Sequence, residues 1–165
     1  MRYSIVKIYE IRLLSNEFYT DFTLSMYPEM EDKQCRPFLV LIIKIEDNKF
    51  AIPFRTNVKH KYCYKFLNTN RNTTSSTALD FSKAVVINDD KYLGSSATID
   101  RKEYLELENK TMFIIKKFKT FISKYKKIMK NPSIYRYEYE LLSKYSTLKY
   151  FHQELGLESK RKVEK

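Results

Sequence analysis

The stretch that most restricts the fold is Arg36-Pro37-Phe38-Leu39-Val40-Leu41-Ile42-Ile43-Lys44-Ile45, followed closely by Phe50-Ala51-Ile52-Pro53-Phe54-Arg55. Phe38 to Ile45 is apolar at nearly every position, which predicts a strand covered on both faces in the middle of a sheet. Glu46-Asp47-Asn48-Lys49 is turn chemistry between two β-rich runs, so the pair reads as a hairpin with a four-residue loop. The second strand continues into Thr56-Asn57-Val58-Lys59-His60-Lys61, which gathers a hydroxyl, an amide, two lysines and a histidine. A strand end holds such groups rigidly while the following loop leaves them accessible, so this segment is the first candidate for a site.

The rest of the chain divides into a β-rich part and a helical part. Tyr3 to Lys7 alternates like a short strand. Ser15-Asn16-Glu17 is a helix-start signal, and Phe18 and Phe22 follow at helical spacing until Pro28 closes the segment. Tyr62 to Phe66 reads as a further strand, and Leu67 to Ala78 as a long Ser/Thr/Asn loop. Phe81 to Ile87 resumes the β pattern. Ile99-Asp100 opens the helical part, in which Ile115, Phe118, Ile122, Tyr125 and Met129 form one apolar stripe. Asn131-Pro132-Ser133 stops that helix, and a second is predicted from about Ile134 to Leu155, ending at Gly156. Strands first and helices last indicate an α+β domain with an antiparallel sheet. One domain spans 1–165, with a charged, frayed tail from about Glu158 to Lys165.

Charge narrows the function. Lys and Arg number 31 against 20 Asp and Glu, a formal net charge of +11. That excess points to a polyanionic partner, most simply nucleic acid. Between Lys110 and Lys130 stand eight lysines and no acid, Lys116, Lys117, Lys119 and Lys124 among them. They lie off the apolar stripe, so the helix has one core face and one phosphate-binding face. The two glycines, Gly94 and Gly156, exclude glycine-rich phosphate loops and dinucleotide fingerprints. Cys35, Cys63, His60 and His152 show no metal-ligand spacing, and no cofactor is called for. No apolar run reaches membrane-spanning length, and the expected location is the cytoplasm.

Cleaving RNA without a metal requires a group that takes the 2′-hydroxyl proton, cations at the phosphate and an acid for the leaving oxygen. Arg55, Lys59, His60 and Lys61 supply cations, and a lysine crowded by cations can exchange a proton near neutrality. Thr56 and Asn57 can hydrogen-bond a phosphate oxygen or the ribose. Read from the residues alone, the same string also fits a polar loop that caps the sheet.

The Arg36–Val40 run, the Ile52-Pro53-Phe54-Arg55-Thr56-Asn57-Val58-Lys59-His60 block and Leu79-Asp80-Phe81-Ser82-Lys83 together resemble the ToxN/AbiQ endoribonuclease toxins of type III toxin–antitoxin systems, on the AbiQ/CptN-like side. The resemblance implies a partly barrel-like antiparallel sheet flanked by helices, similar to the MazF/Kid toxins, with two long C-terminal helices. It implies a metal-independent RNase that cuts A-rich single strands of cellular or phage RNA and leaves a 2′,3′-cyclic phosphate. The partner would be a small RNA pseudoknot antitoxin, held in a protein–RNA hetero-oligomer, and the outcome growth arrest as a defence against phage. Thr56 falls where the family has a serine and Arg55 where it has a threonine, while the lysine comes one position late, at Lys59. An Arg-x-Asn-x-x-His pattern, tolerated on the AbiQ side, fits Arg55, Asn57 and His60. The resemblance further assigns Arg36 to the site, a tyrosine (Tyr9 or Tyr19) beside it, and RNA contacts to Ser82 and Lys83. The reading from another class is a non-catalytic RNA- or DNA-binding module that uses the same basic helix. A third is a toxin of similar fold that acts on a protein.

Overall fold

The computed structural model describes residues 9–30, 39–70 and 77–157; the strand expected over Tyr3 to Lys7, Arg36 and the tail from Glu158 lie outside them. Among the described residues the elements run β1 (Tyr9–Leu14), α1 (Asn16–Asp21), β2 (Leu39–Ile45), β3 (Asn48–Thr56), β4 (Cys63–Lys65), β5 (Thr77–Asp80), β6 (Val85–Val86), β7 (Leu93–Ser96), α2 (Arg101–Lys130) and α3 (Arg136–Tyr145). The strands form one antiparallel sheet in the order β4-β5-β3-β2-β1-β7, with β6 also on β3. The α+β expectation holds. The sheet is open, ending at β4 and β7, so the partly barrel-like closure is not formed among the described residues.

The central hairpin forms as its sequence demands. Val40, Leu41, Ile42 and Ile43 of β2 are all buried, as a strand covered on both faces requires. Its turn is tighter than expected: Ile45 pairs with Asn48, so Glu46 and Asp47 alone make the bend, and Glu46 takes a left-handed φ of 54°. Across the sheet β3 changes partner along its length. Phe50 and Ala51 pair with β6, whereas Phe54 to Thr56 pair with β5. Pro53, which has no N–H to donate, falls at that break.

Side chains alternate between the two faces, and each face has its own cover. Leu41, Ile43, Phe50 and Ile52 face α2, where the Phe118 ring lies edge-on to Phe50 with centroids 5.2 Å apart. Val40, Ala51 and Pro53 turn the other way and line a recess with Leu14 and Phe18 of the β1–α1 segment. Helix α1 starts where Ser15 accepts from the Phe18 N–H. Helix α2 starts where the Asp100 carboxylate accepts from the N–H groups of Lys102 and Glu103.

Three local expectations are corrected. Phe81–Lys83 is a 3-10 turn rather than the start of a strand, because the Asp80 carboxylate caps it by accepting from the Ser82 N–H. The β pattern before it, Thr77–Asp80, is strand β5 and not the end of a loop. Helix α3 stops at Tyr145, well short of Leu155. There Ser146 and Thr147 are buried and donate their hydroxyls to the carbonyls of Ser82 (2.7 Å) and Ala84 (2.6 Å), which ties the chain to the sheet and ends the helix.

Candidate active site

The end of β3 and the start of β5 converge on one buried carboxylate. The pairing of Arg55 with Ala78 and of Cys63 with Asp80 puts Arg55 and Asp80 on the same face of the sheet. Asp80 is fully buried at the end of a strand that is buried throughout, and a charge there must be paired. The Arg55 guanidinium donates to Asp80 Oδ2 at 2.6 Å. Ser82 donates to Oδ1 through its hydroxyl at 2.6 Å and through its N–H at 3.1 Å. His60 Nε2 approaches Oδ1 at 3.2 Å and Ser82 Oγ at 3.3 Å. Burial pushes the Asp80 carboxyl pKa up, but the bonds from His60, Ser82 and Arg55 outweigh it and leave the group below its ordinary value.

The hydrogen-bond network assigns the histidine tautomer. His60 Nδ1 accepts the Tyr62 N–H at 3.1 Å, so Nε2 carries the ring proton toward Asp80 and Ser82. Both ring nitrogens are thus engaged inside the protein. The histidine works as a staple, joining the β3–β4 connection to the Asp80 cluster. A second anchor is the small apolar group of Val58, Cys63 and Ala78. The Cys63 thiol donates to the His60 carbonyl, and burial raises its pKa, which makes it a poor nucleophile.

Between these anchors the polar residues face outward. Thr56 ends β3 opposite Thr77, and Asn57 turns the chain with a left-handed φ of 60°. Thr56, Asn57, Lys59 and Lys61 are exposed. Val58 is buried, which explains why the exposed lysine of this turn is Lys59 and not the residue before it. The connection is therefore an exposed arc of hydroxyl, amide and two ammonium groups on a fixed base.

The remaining predicted residues are distributed more widely. Ser82 is buried in the cluster itself, and the Lys83 ammonium donates to the carbonyls of Glu29 (3.3 Å) and Tyr145 (2.9 Å), so both brace the fold from within. Tyr9 pairs with Ile43, which puts it on the α2 face, opposite to Arg55. Tyr19 of α1 packs edge-on against Phe18, on the same side of the sheet as Arg55. Lys116, Lys117, Lys119 and Lys124 are exposed along α2, with Lys117 above the Tyr64 ring and Lys124 3.9 Å from Glu138. Arg36 is outside the described residues.

Sequence reasoning missed Asp80 as the hub. The signal was present: an acid inside the apolar run Ala78-Leu79-Asp80-Phe81 has to find a cation. Among the described residues no group of three or more His, Cys, Asp or Glu could hold a metal ion. No described helix is long and apolar enough to cross a membrane. Comparison with protein-family models, with curated proteins and with solved structures finds no match. The likeness to the ToxN/AbiQ toxins therefore rests on the residues quoted for it.

Proposed function

We propose that this chain is a metal-independent endoribonuclease of the ToxN/AbiQ toxin type, acting at the β3–β4 connection, with a sheet similar to that of the MazF/Kid toxins. The observation that carries the reading is the fixed arc itself: Thr56, Asn57, Lys59 and Lys61 held outward while Arg55, His60 and Ser82 lock its base onto buried Asp80. Preorganised donors aimed at a phosphate are what metal-free transesterification requires.

In the proposed reaction the ribose 2′-hydroxyl gives its proton to a solvent water at the exposed connection and its oxygen attacks the adjacent phosphorus. The O2′–P bond forms as the P–O5′ bond breaks, and the departing 5′-oxygen takes a proton from water. The products are a 2′,3′-cyclic phosphate and a 5′-hydroxyl. Thr56 donates to a non-bridging oxygen, Lys59 neutralises the charge growing on it, and Asn57 orients the ribose. Arg55 is held 2.6 Å from Asp80 and orders the strand end beneath them. The substrate is single-stranded, A-rich RNA, and a structured antitoxin RNA occupies the same basic surface.

One observation favours a second reading, a non-catalytic RNA-binding module. Both nitrogens of His60 are occupied internally and Arg55 is turned onto Asp80, which leaves the two lysines as the exposed cations of the connection. Thr56→Ala and Lys59→Ala separate the two. A nuclease loses about 10²–10³-fold in cleavage rate while RNA affinity changes little. A binding module shows no turnover in any form, and its affinity falls with the removal of Lys59.

A further inference from the structure

Strand β4 is an edge of the sheet, and α2 runs beside it in the opposite direction. Tyr62 meets Phe121 with ring centroids 5.6 Å apart, Tyr64 meets Phe113 at 6.2 Å, and the N–H groups of Leu67 and Asn68 donate to Glu106. Along this seam lysines and rings alternate. Lys61 Nζ lies 5.4 Å from the Tyr62 centroid, Lys117 Nζ 5.8 Å from Tyr64, and Lys110 Nζ 5.8 Å from Phe113. Tyr62 and Tyr64 are buried and serve as floors that position the ammonium groups. Phe113 is different: 56% of it is exposed, on a helix flank where Lys110 and Lys117 stand one turn to either side. Lys110, which lies over the Phe113 ring, also lines a recess of about 370 Å³ together with Asn68, Lys102, Leu105, Asn109 and the buried Glu106.

We propose that this seam is a track for single-stranded RNA leading away from the β3–β4 connection, with Phe113 as its base-stacking platform and the adjoining recess as the seat of a neighbouring nucleotide. The proposal rests on the nuclease reading for its starting point, and extends it from one phosphate to a stretch of strand. Charge complementarity selects the occupant. From Lys110 to Lys130 the helix carries no acid, the exposed lysines Lys61, Lys110 and Lys117 line the seam, and Glu106 is spent on the Leu67–Asn68 backbone and the Tyr64 hydroxyl. The exposed Glu108 of the same helix accepts from the Tyr104 hydroxyl. An acidic protein would meet the lysines but would leave the open ring unused. An unpaired base offers a π face to Phe113 while its phosphates meet the lysines.

The test uses the full chain and 2′-O-methyl oligoadenylates, which cannot be cleaved by 2′-hydroxyl attack, in fluorescence anisotropy at fixed salt. A short oligomer of about four nucleotides reports the strand end alone, and one of about sixteen also reaches the seam. Wild type binds the long oligomer more tightly. Phe113→Ala weakens that binding by about five- to a hundredfold, leaves the short oligomer unchanged, and is rescued by Phe113→Trp. Lys110→Ala lowers the salt slope on the long oligomer by about 0.7, the share of one phosphate contact on a single strand. Phe113 is exposed, so the variant should melt at the wild-type temperature, which separates misfolding from lost stacking. Equal affinity of wild type and Phe113→Ala for the long oligomer overturns the track, as does no preference of wild type for length. Cleavage of unmodified RNA by wild type, run in parallel, reports separately on the nuclease reading.

Discussion

Asp80 is the residue on which the site depends. Replacing it with alanine removes the buried carboxylate that the Arg55 guanidinium, His60 Nε2 and the Ser82 N–H share. The expected loss is about 3 kcal/mol, at the lower end of the range for a broken buried pair because Arg55 keeps a 24% exposed side chain. Urea titration of Asp80→Ala against wild type checks this. The pH dependence has a definite sign. Burial raises the Asp80 pKa, the bonds from His60, Ser82 and Arg55 outweigh that rise, and the folded value ends below the unfolded one. Its contribution is therefore fully present above the unfolded carboxylate pKa, about 4, and is lost as pH falls through the depressed folded value. Melting wild type and Asp80→Asn at neutral pH and near pH 3 should show the gap between them narrowing on acidification. A gap that widens would contradict the assignment.

At the scale of the elements, α2 holds the sheet and the carboxylates near its start hold a loop. Phe118 is fully buried between Phe50 and Phe81, so Phe118→Ala should cost about 3–5 kcal/mol by thermal or urea unfolding. Glu106 accepts from the N–H groups of both Leu67 and Asn68, and Glu106→Gln, which keeps the shape but gives up acceptor strength, should speed amide exchange at those two positions. Unchanged protection there would show that other contacts hold the loop. The continuous apolar run became β2, the helical stripe became the buried face of α2, and the caps at Ser15 and Asp100 were legible as such. What depends on distant partners was not legible. The Ser146 and Thr147 hydroxyls end α3 by bonding carbonyls more than sixty residues away in the chain. The site divides in the same way. Arg55, Thr56, Lys59 and His60 stood out as a string, but the acid that organises them lies 25 residues beyond Arg55 and emerges only through the β3–β5 pairing.

Over the whole molecule, an open antiparallel sheet with α2 along one face carries a net charge of +11. Such a surface should bind RNA with a steep salt dependence, about −0.7 in log–log slope for each phosphate contacted on a single strand. If the connection cuts RNA as proposed, its chemistry should be much less salt-sensitive once RNA is saturating, because the proposed roles of Thr56 and Lys59 are played at contact distance. Single-turnover cleavage rates across a salt series would distinguish the two effects. Whether the β3–β4 connection cuts RNA is directly measurable. Wild type and Lys59→Ala should be incubated with A-rich RNA in excess EDTA and the product ends identified. Cyclic-phosphate ends from wild type, with cleavage by Lys59→Ala reduced at least about a hundredfold, are the predicted result. Intact RNA, from wild-type protein shown to be folded and free of bound RNA, would contradict it.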